Sequence, residues 1–177
     1  MTSDDLAALI RTIPDHPKPG IQFRDITTLL LDGAGFHAAV SGMAAQIETR
    51  PDLIAGIEAR GFLFGAALAH HFGCGLLTLR KRNKLPGQVT GINYALEYGE
   101  DRLEMPHGLV RSGQRVVLVD DLIATGGTAW AAAQLLSGAG AEIVQAAFLI
   151  DLPDLGGAAR LQDKGLKTSS LISFAGH

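Results

Sequence analysis

Residues 116–128, VVLVDDLIATGGT, restrict the fold more than any other stretch of the chain. Four consecutive aliphatic residues leave no polar face, so the segment reads as a strand covered on both sides, as in a parallel sheet. Two carboxylates, Asp120 and Asp121, follow at once, and then a turn of small and hydroxylic residues containing Gly126 and Gly127. Glycines in such a turn let the backbone approach a ligand closely, and the N–H groups of the helix start that follows form an anion site. The pattern predicts a strand over 116–119, a loop opening at Asp120, and a helix from about Gly127 to Ser137. The turn is neither a Gly-Lys-Ser/Thr phosphate loop nor a Gly-x-Gly-x-x-Gly turn, and it suits a single phosphomonoester. An Asp-Asp pair alone reads as a solvated turn; placed before ATGGT it would face the hydroxylated part of the same ligand.

The remaining segments fit around that strand. Leu6, Leu9, Ile10 and Ile13 recur at helical spacing after a capping Ser3-Asp4-Asp5, which predicts a first helix stopped by Pro14. The Pro-rich PDHPKPG then leads into IQFRDITTLL as a strand or extended piece. Phe36, Val40, Met43 and Ile47 mark a second helix; LIAGI (53–57) and LLTLR (76–80) read as strands with a helix, FLFGAALAHHF, between them. INYALEY and RLEM suggest an antiparallel pair, IVQAAFLI (143–150) another buried strand, and LISF an edge strand. Strands alternating with helices predict an α/β fold, a mostly parallel twisted sheet flanked by helices in one domain over 1–177. In such sheets ligands bind beyond the carboxyl ends of the strands, which brings EARG, KRNKLPGQ and DDLIATGGT to one edge.

Composition narrows the partners. With 15 basic against 18 acidic residues and a net charge of −3, and with no basic run longer than RKRNK (80–84), neither nucleic acid nor a membrane surface is expected. No stretch reaches the roughly 20 apolar residues of a membrane span, the N-terminus lacks the plan of a secretory signal, and Cys74 has no second cysteine. A mature cytoplasmic protein is expected. His70 and His71 are adjacent and point to different helix faces, so no protein-held metal is expected, and no Gly-x-Ser-x-Gly elbow offers a nucleophile.

The strand, acidic pair and Thr/Gly turn resemble the phosphoribosyl pyrophosphate (PRPP) signature of the type I phosphoribosyltransferases. GIQFRDIT (20–27), AGIEARGFLFG (55–65), RKRNKLPG (80–87) and YALEYG (94–99) extend the resemblance over nearly the whole chain, toward the adenine phosphoribosyltransferase family. That resemblance implies the type I fold, with a small N-terminal base-binding hood contributed mainly by about residues 1–35. It implies transfer of the 5-phosphoribosyl group of PRPP to adenine N9, giving AMP and pyrophosphate in purine salvage. Mg²⁺ would arrive with PRPP, and the protein would be a homodimer.

By the same resemblance, Ala124, Thr125, Gly126, Gly127 and Thr128 hold the 5-phosphate, while Asp120 and Asp121 attend to the ribose hydroxyls and the Mg²⁺–PRPP complex. Glu58, Ala59, Arg60 and Gly61 bind pyrophosphate, with a cis peptide expected at Glu58–Ala59. Arg80, Lys81, Arg82 and Lys84 form a basic lid over it, with Asn83 where relatives often have Gly. Glu97 would donate a proton toward adenine N7, Tyr98 would close beside the base, and Phe23, Arg24, Asp25 and Ile26 would form the adenine site. Arg60, Lys84, Glu97 and Asp121 are thus the expected catalytic group. A sister transferase acting on a 6-oxopurine or orotate, and a non-catalytic PRPP sensor, are the competing readings.

Overall fold

The computed structural model describes residues 1–96 and 99–176. Its elements in chain order are α1 (Ser3–Ala8), β1 (Arg11–Ile13), β2 (Phe23–Asp25), α2 (Thr27–Leu31), α3 (Gly33–Ala45), β3 (Leu53–Ile57), α4 (Gly61–Phe72) and β4 (Gly75–Lys81). The second half carries β5 (Val89–Leu96), β6 (Gly99–Pro106), β7 (Arg115–Ile123), α5 (Gly127–Gly138), β8 (Glu142–Asp151), a 3-10 turn (Pro153–Leu155), α6 (Gly157–Asp163) and β9 (Thr168–Ser173).

The main sheet has the order β5-β6-β4-β3-β7-β8-β9. Strands β4, β3, β7, β8 and β9 are parallel, while β6 runs antiparallel to β4 and pairs with β5 as a hairpin. The expected mostly parallel α/β sheet is therefore present, with LISF on its edge. Strand alternation splits the core between the two faces. Val117, Val119, Ile54 and Leu149 pack with Met43, Phe64 and Leu68 of α3 and α4 on one side. Val116, Leu118, Ala55 and Phe148 pack with Leu136 of α5, Leu161 of α6 and Leu103 of the hairpin on the other. Val116 to Val119 are all completely buried, which is why this run has no polar face.

Three expectations are corrected. Helix α1 ends at Ala8, and Ile13 belongs to β1: the Arg11–Ile13 backbone pairs with Phe23–Asp25 and the Arg11 guanidinium binds Asp25, so a local helical period yields to a long-range hairpin. Its cap is Thr2, in a reciprocal capping box with Asp5. The extended piece after Gly20 is a strand only as far as Asp25, and α2 follows at Thr27. Strand β7 runs on to Ile123, with Asp120 opposite Phe148 and Ile123 opposite Asp151 of the long β8, so the acidic pair stands on the strand and the turn begins only at Ala124.

The β1–β2 pair forms a separate two-stranded sheet. Arg24 ties it to the chain end, donating to the Ala175 carbonyl at 3.0 Å with its guanidinium 4.4 Å from the Phe174 ring centre.

Candidate active site

The C-terminal ends of β3, β4 and β7 open on one edge of the sheet, as the parallel topology requires. Two chambers meet there. The polar one, about 350 Å³, is lined by Glu58 to Arg60, Lys81, Asp120 to Gly127 and Thr128. The apolar one, about 530 Å³, is walled by Ile21, Phe23, Leu122, Leu152 and Leu155. Arg60, Ala124, Thr125, Gly127 and Thr128 line both.

The turn between β7 and α5 exposes an unfilled set of donors. Gly126 is the N-cap of α5 with φ +80°, no side chain caps the helix, and no acidic residue occupies its first turn. The first amides of a helix lack intrahelical acceptors, and here no side chain takes them up, so with the dipole this end can accept negative charge. Thr128 adds a hydroxyl, 3.5 Å from the Tyr94 hydroxyl of β5.

Beside this positive end stands the acidic pair. Asp121 is 4% exposed, and its Oδ2 is buried with no hydrogen-bond partner; the Arg60 Nε lies 3.0 Å away but is not aimed along a hydrogen bond, so the contact is an ion pair. Asp120 Oδ1 accepts from the Asp121 amide at 2.8 Å. Burial, and then the charge of Asp121, push the Asp120 carboxyl well above the usual range. Burial also raises Asp121, with Arg60 opposing it. Gly61 allows this crowding: a Cβ there would lie 2.7 Å from the Val119 carbonyl oxygen and 2.9 Å from Asp120 Oδ1.

The Glu58–Ala59 peptide is cis, as expected. The Glu58 carboxylate turns toward β4, accepting from Arg80 Nε at 3.1 Å, Arg80 Nη2 at 3.2 Å and the Lys81 amide at 2.7 Å. Hydrogen bonds from Arg80 outweigh burial and hold its pKa low. Arg80 and Lys81 are the last residues of β4, paired with Glu104 and Leu103 of β6, so the loop expected from Arg80 starts at Arg82. Lys81 still faces the polar chamber, where its ammonium donates to the Tyr94 hydroxyl at 2.6 Å and to Asp101. Arg82 and Lys84 are exposed and line neither chamber. Asn83 has φ +62°, the left-handed region that glycine occupies most easily, and its amide donates to Glu104. Glu97 and Tyr98 lie outside the described residues.

At the hood, Phe23 and Arg24 line the apolar chamber, and the Arg60 guanidinium lies 5.2 Å from the Phe23 ring centre. Ile26 is core, 2% exposed. Asp25 turns away to Thr27 and Arg11; hydrogen bonding with Thr27 first, and then with Arg11, holds its carboxyl at about 2. Four contributors escaped the sequence reading: Leu152 and Leu155, which wall the apolar chamber, and Gly157 and Arg160, which touch the β7–α5 turn from behind. The only local signal was the Gly156-Gly157 pair in DLGGAAR. Among the described residues no group of three or more His, Cys, Asp or Glu could hold a metal alone, and no helix is long and apolar enough to cross a membrane.

The family model described as Phosphoribosyl transferase domain matches residues 27–175. The adenine phosphoribosyltransferase of Erythrobacter litoralis is 59% identical over 179 aligned positions, covering all of both chains. Among solved structures, that of the adenine phosphoribosyltransferase of Thermoanaerobacter pseudethanolicus superposes with a TM-score of 0.93 at 46% identity, covering 98% of this chain and 100% of that one. The Saccharomyces cerevisiae enzyme, solved with an imino-altritol bisphosphate and adenine, superposes at 0.90 with 32% identity, over 96% of this chain and 98% of its own. The chain belongs to the phosphoribosyltransferase family and, within it, to the adenine phosphoribosyltransferases.

Proposed function

We propose that the chain transfers the 5-phosphoribosyl group of PRPP to adenine, giving AMP and pyrophosphate for purine salvage. One observation carries the reading: an uncapped helix start is shared by two adjoining chambers, one holding a buried acidic pair with an arginine and the other walled by apolar side chains and the Phe23 ring. A ligand that carries a phosphate, a hydroxylated sugar and a flat apolar base fits that pair of chambers. Relatives carrying the name of this activity, and one solved with adenine bound, support the choice of base.

In this reading the amides of Gly126 to Thr128 take the 5-phosphate, and Asp120 and Asp121 accept hydrogen bonds from the ribose hydroxyls. The bond from C1 to the pyrophosphate oxygen breaks as the bond from adenine N9 to C1 forms, and the N9 proton passes to the departing pyrophosphate. Positive charge grows on the ribose ring and negative charge on the departing pyrophosphate. The acidic pair faces the first, while Arg60 and Lys81, with Lys84 on the adjoining loop, supply cations for the second. Phe23 packs on the adenine ring. Hood backbone carbonyls read its amino edge, and a base with an oxygen there would leave an acceptor facing an acceptor. Glu97 serves as proton donor toward N7 and recovers that proton once N9 is bonded to C1, with Tyr98 closing beside it.

Mg²⁺ fits as part of the substrate. The two carboxylates, one with an orphaned oxygen, are hard donors, yet too few to hold the ion alone, and Mg²⁺ usually binds through one or two carboxylates plus substrate phosphates. Bound there it would neutralise the leaving group. We further propose a homodimer in which the 82–88 loop serves a neighbouring subunit, and a reducing, cytoplasmic setting, which suits the lone thiol of Cys74. Incubation of purified protein with adenine, PRPP and Mg²⁺ should yield AMP and pyrophosphate in equal amounts; absence of AMP would refute the assignment.

A further inference from the structure

The connection after β8 serves both chambers at once. Leu152 and Leu155 wall the apolar chamber, and two residues later α6 begins against the back of the phosphate turn. The approach is close enough to exclude any side chain: a Cβ on Gly157 would sit 2.2 Å from the Ala124 carbonyl oxygen and 2.8 Å from the Gly126 nitrogen. A Cβ on Gly126 would in turn meet the Gly157 carbonyl oxygen at 3.0 Å. One turn along α6, Arg160 Nη1 donates to the carbonyl oxygen of Thr125, across 35 residues of sequence. Arg160 is exposed and lines neither chamber, so ligand contact does not explain its placement.

We propose that Arg160 is a positioning residue for the anion cradle, with Gly157 as the seat that lets α6 reach it. In a planar trans peptide the C=O and N–H point in opposite directions. Fixing the Thr125 carbonyl toward α6 therefore turns the Gly126 N–H away from α6, toward the polar chamber that Gly126 lines. The arginine acts on the phosphate through this peptide plane rather than by contact. Because Leu155 and Arg160 belong to one continuous segment, the same support keeps the wall of the base chamber in register with the cradle.

The inference rests on 124–128 being a phosphate cradle, and the test separates the two claims. Ribose 5-phosphate and pyrophosphate binding are measured by calorimetry on the wild-type chain, Arg160→Ala and Arg160→Lys, with urea unfolding as a control. Loss of one charge-assisted hydrogen bond should weaken ribose 5-phosphate about five- to ten-fold in Arg160→Ala. Pyrophosphate, which does not use the cradle, should bind as before, and Arg160→Lys should recover most of the loss. Steady-state kinetics should show the same split, a raised KM for PRPP with the KM for adenine little changed. Unchanged ribose 5-phosphate binding in Arg160→Ala would overturn the inference, and so would equal weakening of both ligands. A wild-type chain that fails to bind ribose 5-phosphate would overturn the cradle reading itself, and this inference with it.

Discussion

Replacing Gly61 by alanine probes the point where the Glu58–Gly61 loop, the acidic pair and the sheet are pressed together. The new methyl would face the Val119 carbonyl oxygen at 2.7 Å, Asp120 Oδ1 at 2.9 Å and Asp120 Cα at 3.1 Å, against ordinary contact from 3.4 Å. Two of these three atoms are backbone, so no rotamer change relieves the clash and the start of α4 must retreat by roughly 0.7 Å. Overpacking of this kind costs about 1–3 kcal/mol, and the better helix propensity of alanine returns about 1 kcal/mol, leaving a net loss of about 0–2 kcal/mol. The protein should stay folded. The retreat carries Arg60, the preceding residue, off its 3.0 Å contact with Asp121. Misplacing a reacting group by about 1 Å can cost on the order of 10²-fold, so kcat/KM should fall by about 30- to 100-fold. Urea unfolding reports the first quantity and initial rates of AMP formation the second. Wild-type rates in Gly61→Ala would mean that the contact between α4 and β7 does not set the catalytic geometry.

Other substitutions address the remaining parts. Asp121→Asn should leave the fold intact and lower kcat about 10²-fold or more, because the charge facing Arg60, which the proposed function also places against the ribose, is gone; near-normal turnover would show the acidic pair misassigned. Asp120 gives a pH signature: its folded pKa is raised by burial and by Asp121, so the folded chain holds the proton more tightly than the unfolded one. The pair therefore lowers stability above that pKa, and the cost disappears as pH falls toward the unfolded value near 3.8. Asp120→Asn should accordingly melt higher than wild type at pH 8, with a gap that narrows on acidification; a gap that widens would contradict the raised pKa. Phe23→Ala should raise the KM for adenine about ten-fold with the KM for PRPP little changed, as kinetics with each substrate varied in turn would reveal.

The legible parts of the fold were those whose signal is local. A run such as Val116 to Val119 reads as buried on both faces, and Gly126-Gly127 after it as a tight turn into a helix, so the central strand and that turn followed from the residues. The acidic pair was legible as chemistry but not as structure: β7 extends past Val119 because β8 is long enough to pair with it, and that length lies elsewhere in the chain. Likewise the helical period of Leu6 to Ile13 gave way to pairing of Arg11 with Asp25, which no local pattern announces. Arg80 and Lys81 looked like free lid cations until Glu58, Asp101 and Tyr94 came to meet them. Arg160 was invisible for the same reason: its meaning is a single carbonyl 35 residues away.

The most direct test of the assignment is a panel of bases at equal concentration, adenine, hypoxanthine, guanine and orotate, each with PRPP and Mg²⁺. Adenine should give the highest kcat/KM, by about 10⁴-fold if buried polar groups read its amino edge. A higher kcat/KM for any other base would contradict the adenine assignment while leaving the phosphate cradle and the acidic pair in place.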